Sequence, residues 1–174
     1  MGVLRALDGL LIRIIHPILI FVGLAVALML TVGIVSRALL GAPIFGLEEL
    51  MLLGIMWFYM LGAALASRER SHLSADFVKV LSNNPKVWRV AAIVSTAISL
   101  VVAIMFVTWS WDLFAWGVEK GQATPVFNIP WWVSQSSLFF ASILFVIYLT
   151  RDLILEITGK SNKDLDPDHY DVET

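Results

Sequence analysis

Four long stretches of this sequence contain no charged residue at all. They are Ile14–Ser36, Leu50–Ser67, Val90–Trp111 and Trp131–Thr150, and none of the chain's 12 basic and 14 acidic residues falls inside them. As helices rising about 1.5 Å per residue, segments of this length cover roughly 27–35 Å, which matches a hydrocarbon core of about 30 Å. Such segments constrain the fold severely, because a chain in lipid must satisfy every backbone N–H and C=O internally. The sequence therefore predicts an all-α integral membrane protein with four transmembrane helices. The composition agrees: 59% of residues are hydrophobic and 15% charged, against roughly 25% charged in a soluble domain.

Several function classes drop out. A net charge of −2 with scattered basic residues gives no footprint for nucleic acid. The absence of cysteine removes disulfides, thiolate metal sites and a cysteine nucleophile. There is no Gly-rich phosphate loop and no histidine pair at metal-ligand spacing. The first apolar run is longer than a cleavable signal peptide and no Ala-x-Ala site follows it. His16, His72 and His169 are placed so that they cannot face each other across a bundle core, which disfavours a bis-His haem and a redox anchor. His72 precedes Asp76 by four residues, but no nucleophile or metal partner accompanies the pair. We expect no enzymatic activity and no cofactor in this chain.

The basic residues sort by side. Arg5, Arg13, Arg68, Arg70, Lys79, Lys86, Arg89, Arg151, Lys160 and Lys163 fall on the side of the termini and the middle connection, and only Arg37 and Lys120 on the other. The positive-inside rule places both termini in the cytoplasm. Trp109, Trp111, Trp116, Trp131 and Trp132 then cluster around the second outer connection, as an aromatic belt would, while Trp88 marks the inner boundary of the third span.

The segments between the spans carry patterns of their own. Val3, Leu4, Leu7, Leu10 and Leu11 recur at helical spacing, predicting a short amphipathic interfacial helix over about 2–13 that ends where His16-Pro17 begins the first span. Leu73, Phe77, Val80 and Leu81 predict a second one over about 72–82. Either could lie on lipid or on a partner protein. The tail 159–174 is polar and acidic and is expected to be disordered. That leaves 1–158 as the four-helix membrane domain. In the outer 37–49 connection, Glu48 and Glu49 fall where a helix start favours carboxylates. Two readings stand: simple capping, or a clamp in which Arg37 bridges to Glu48 or to Glu49. Within the spans the polar content is hydroxyls and a Ser134-Gln135-Ser136-Ser137 patch, and small pairs such as Gly23/Ala27 and Gly62/Ala66 read as helix-packing positions. No span holds an Asp, Glu, Lys or Arg, and none carries the Gly/Pro break expected of a discontinuous helix around a substrate. A self-sufficient transporter would need such groups.

Three groups of residues resemble one known family. They are Arg37 with Gly41-Ala42-Pro43-Ile44 and Glu48-Glu49; the run Leu61-Gly62-Ala63-Ala64 through Arg68, His72, Leu73 and Asp76; and Thr124-Pro125 with Asn128-Ile129-Pro130-Trp131-Trp132. In order and spacing they are similar to the small membrane subunit of tripartite ATP-independent periplasmic (TRAP) transporters, over about residues 10–155. The family's frequent Pro-x-Gly break early in the fourth span is replaced here by Ser-Gln-Ser-Ser-Leu-Phe-Phe. The resemblance implies a partnership with a large multi-span membrane transport subunit that holds the substrate and sodium sites. It also implies a soluble periplasmic binding protein that delivers an organic acid, and a scaffold role for this chain in a bacterial inner membrane. By position, Arg37, Glu48 and Glu49 would belong to the outer docking face. Arg68, His72 and Asp76 would belong to the cytoplasmic end as structural residues. The alternative is a stand-alone four-helix exporter or channel acting as a homodimer. That class needs a carboxylate embedded in the first span, and Ile14–Ser36 has none.

Overall fold

The computed structural model describes residues 2–69 and 85–158. Among these residues are four long helices, α1 (Gly2–Leu40), α2 (Leu47–Glu69), α3 (Pro85–Lys120) and α4 (Trp131–Thr158). All four are long and apolar enough to cross a membrane. The segment 72–82, with His72 and Asp76, and the tail 159–174 lie outside the described residues.

Each helix is longer than its charge-free window. The separate helix expected before the first span is instead continuous with it: α1 runs 39 residues, with Pro17 inside. Pro17 removes one backbone donor, a loss that transmembrane helices tolerate. The charges that bounded the windows do not end the helices, because a charged side chain leaves the backbone ladder intact. Glycine at a left-handed dihedral ends two of them. Gly41 (φ 66°) follows α1 and Gly121 (φ 58°) follows α3, each at the position where a left-handed residue closes a helix C-terminus.

The helices alternate in direction, so the connections 41–46 and 121–130 share one end, the connection end. The chain termini and residues 69–85 mark the other, the terminal end. The helices form a row rather than a closed bundle. In it α3 packs on α4, α4 on α2, and α2 on α1. The packed seams are built from small and hydroxylated residues. Ala64, Ala141, Ser137 and Ser142 are fully buried, whereas Phe21, Leu24, Leu28 and Ile34 face outward. This inverts a soluble core and is the pattern expected where lipid is the solvent and small side chains let helices approach closely.

Named contacts set the register of each seam. Between α1 and α2, Gly23 lies against the Phe58 ring and Gly54 against Val26. Between α2 and α4, Trp57 packs on Phe140 with ring centroids 6.1 Å apart and donates its indole N–H to the Val133 carbonyl at 3.2 Å. Between α3 and α4, the hydroxyls of Ser110 and Ser142 meet at 3.0 Å, and Phe106–Phe145, Trp111–Phe139 and Phe114–Trp132 form a ring ladder. Trp111 and Trp132, read from sequence as interface anchors, are thus partly spent on this seam. Trp109 and Trp111 also sit some ten to twelve residues, about 15–18 Å along the helix axis, deeper than Trp131.

The small-residue pairs do not all pack within the chain. A Cβ built at Gly62 meets nothing within 4 Å and Ala66 is exposed, so this pair does not join helices within the chain. Gly54 and Gly23 do that work. Replacing Gly54 by Leu should therefore destabilise the purified chain by about 1–3 kcal/mol through overpacking of the α1–α2 seam. Gly62→Leu should leave thermal unfolding in detergent within about 0.5 kcal/mol of the parent, and equal losses for both would reverse the assignment.

The register of α3 differs from that of the other helices. Gly23, Trp57 and Phe140, which mark one level across α1, α2 and α4, fall near the middles of those helices' charge-free segments. The charge-free segment of α3, Val90–Trp111, is centred near Leu100, yet the residues of α3 at that level are those around Ser110–Phe114. The segment is offset by about ten residues, or about 15 Å. Interdigitating rings and paired hydroxyls set this register, and they carry no charge for a hydropathy window to register.

Candidate functional site

At the connection end the two adjacent carboxylates of α2 take separate tasks. Glu48 forms an ion pair with Arg37, joining the last turn of α1 to the first turn of α2. Glu49 reaches the other connection, where its two oxygens accept the backbone N–H groups of Val126 at 2.8 Å and Phe127 at 2.9 Å. Ser36 adds a bond from its hydroxyl to the Ala42 carbonyl at 2.9 Å.

The 121–130 connection is folded in its own right. Ala123 and Pro130 form an isolated antiparallel bridge. The Thr124 hydroxyl accepts the Ile129 N–H at 3.0 Å, and the Thr124 carbonyl accepts the Asn128 N–H at 3.1 Å. Asn128 takes a left-handed φ of 53°, which asparagine adopts more readily than most residues. Phe127 then folds over Gly46, whose own φ is 82°. Between the two connections lies a recess of about 400 Å³, lined among others by Pro43, Ile44, Glu48, Pro125, Val126 and Trp131. Phe45 at its rim is 83% exposed. An apolar, proline-stiffened recess rimmed by carboxylates suits recognition of a macromolecular surface. Among the described residues no group of three His, Cys, Asp or Glu side chains could hold a metal ion.

Sequence reasoning named Arg37, Glu48 and Glu49 but not the tie from Glu49 to Val126 and Phe127, which spans 77 positions and has backbone groups as its partners. No side-chain pattern encodes such a contact.

At the terminal end, Arg68 closes α2 and its carbonyl accepts Arg151 Nη2 at 3.2 Å. Arg151 also binds Asp152 at 2.8 Å, and its guanidinium carbon stands 5.5 Å from the centre of the Tyr148 ring. Arg89 donates to the carbonyls of Glu156 at 3.3 Å and Ile157 at 2.6 Å, closing the C-terminus of α4 as cations commonly do. The Thr96 hydroxyl donates to Glu156 at 2.9 Å. Asp152 is 6% exposed. None of Arg89, Asp152 and Glu156 was singled out from sequence. The available signal was the spacing of Asp152 and Glu156 at i and i+4, on a helix that continues past Thr150.

The profile of one protein family, described as "Tripartite ATP-independent periplasmic transporters, DctQ component", matches residues 26–159. The chain belongs to that family. The matched region takes in both connections, all of α2, α3 and α4, and the Arg37, Glu48 and Glu49 positions. A search of curated protein sequences finds no significant match. DctQ components are the small membrane subunits of these transporters, working with a large membrane subunit and a substrate-binding protein. The four apolar helices agree with such a multi-pass transport component.

Proposed function

We propose that this DctQ chain is the scaffold subunit of a sodium-driven importer of organic acids, carboxylates or sialic-acid-like sugar acids, in a bacterial inner membrane. It carries no cofactor and no transport site of its own. It supports the large transport subunit, and its connection end forms part of the surface on which the substrate-binding protein docks. The ten-to-two distribution of basic residues supports an orientation with the terminal end in the cytoplasm and the connection end in the periplasm.

The observation that carries the docking role is the brace from Glu49 to the Val126 and Phe127 amides. It joins two connections far apart in sequence into one preformed platform, and preformed surfaces bind with less ordering cost than loose loops. The test is an affinity pull-down of tagged chain from its native membranes in mild detergent, followed by titration with the substrate-binding protein. A large polytopic protein should co-elute in stoichiometric amount. Joint replacement of Glu48 and Glu49 by Ala should keep membrane insertion and weaken binding of the soluble protein at least about tenfold. Unchanged binding would remove the docking role. Recovery of the chain alone, as a homodimer, would favour the stand-alone exporter.

A further inference from the structure

Asp112 carries a consequence of the α3 register. It lies two residues after Ser110, which meets Ser142, and two before Phe114, whose ring packs on Phe139 at 6.3 Å. It is therefore level with Phe140, which packs on Trp57, and Phe58 in turn covers Gly23. Those residues mark the mid-depth of the charge-free segments of α4, α2 and α1. A carboxylate thus sits close to the middle of the layer that the other three helices define. The side chain is exposed, on the side of α3 turned away from α4, and the described chain offers it no hydrogen bond or ion pair. Its helical neighbours at i−7, i−3 and i+4 are Met105, Trp109 and Trp116, which are 45%, 60% and 44% exposed.

An ionised carboxylate at mid-bilayer is costly, and side chains of this kind face a partner or a cavity rather than lipid. We propose that Asp112 is the anchor of an intramembrane interface. In this reading it pairs with a Lys or Arg on a transmembrane helix of the large transport subunit, and Trp109 and Trp116 pack against that cation and its aliphatic stem. A second copy in the same orientation cannot supply the cation at this level, since the nearest basic residue of α3, Lys120, lies eight residues or about 12 Å toward the connection end, and α1, α2 and α4 hold no Lys or Arg near Gly23, Trp57 and Phe140. The position at the end of the helix row also fits. α4 covers only one side of α3, leaving this side for a neighbour. The inference rests on the proposed pairing with a large subunit and adds which face meets it and by what chemistry.

The chain has no cysteine, so a single introduced thiol reports its own surroundings. Tagged chain carrying Asp112→Glu, Asp112→Asn or Asp112→Lys is expressed in its native membranes, and the amount of co-purified large subunit per chain is measured. Asp112→Glu should retain the partner, whereas Asp112→Lys should lower its recovery at least about tenfold through like-charge repulsion in a low-dielectric layer. Exchanging the partner's cation for Asp should restore recovery with Asp112→Lys. Independently, the thiol of Asp112→Cys should resist a membrane-impermeant maleimide in the intact complex, while that of Phe45→Cys at the connection end is labelled. Wild-type recovery by Asp112→Lys, or labelling at 112 as fast as at 45, would overturn the pairing. Wild-type chain recovered without any large subunit would overturn the subunit reading itself, and the pairing with it.

Discussion

Gly46→Val should lower the thermal midpoint of the purified chain by about 4–24 °C, taking roughly 2–4 °C per kcal/mol for a protein of this size. Two costs combine. The φ of 82° at Gly46 lies in a region that a β-branched residue enters only under strain, on the order of 1–3 kcal/mol. A side chain there would also overlap the Phe127 ring, adding a further 1–3 kcal/mol or so of overpacking. Displacing Phe127 pulls its N–H and that of Val126 away from Glu49, so hydrogen exchange at those two amides should accelerate with the loss of stability. Gly41→Val separates the two costs, because Gly41 shares the left-handed dihedral (φ 66°) but a Cβ there meets nothing within 4 Å. Equal losses at both positions would mean that the Phe127 contact contributes nothing to the platform.

Ser142→Leu should cost about 3 kcal/mol, while Ser142→Ala costs no more than about 1 kcal/mol. Ser142 has no exposed surface and Ser110 is 2% exposed, so the α3–α4 seam has no room for an isobutyl group. The hydroxyl is worth less than its burial suggests. Ser110 and Ser142 contact each other at 3.0 Å, while each also lies within bonding distance of a carbonyl in its own helix, Val107 at 3.0 Å and Phe139 at 2.8 Å. Two hydroxyl hydrogens cannot serve three bonds at once, so losing one oxygen leaves the carbonyls with their helical partners. Unfolding titrations of the two single Ala variants and the double variant should give a coupling of about 0.6 kcal/mol. A Leu variant as stable as the Ala variant would show that the seam opens without cost.

The number of helices was legible because transfer energetics alone decide it: about twenty uncharged residues in a row can cross a bilayer and little else. The outer connection was legible in part, since Arg37, Glu48 and Glu49 lie close in sequence and their charges advertise a pairing. Which of the two carboxylates Arg37 takes was not, because both lie on the first turn of α2 and the choice depends on where the 121–130 connection places its amides. Gly62 and Ala66 carry a related ambiguity. A small-residue pair permits close approach but does not say which helix approaches, and here α1 meets Gly54 and α4 meets Ala64's side of α2 instead.

From the sequence alone come the four apolar helices, the family resemblance through Arg37, Glu48, Glu49, Arg68, His72 and Asp76, and the bias of basic residues between the two sides. Each of these is a property of residue type summed along the chain, and hydrophobic transfer and charge insertion depend on little more. The tertiary structure decided the order of helices in the row, the platform braced by Glu49, and the register that brings Asp112 level with Phe140 and Trp57. These depend on which surfaces interdigitate. A shift of one turn between two apolar helices changes almost nothing in hydropathy, but it moves a carboxylate by about 5 Å in depth.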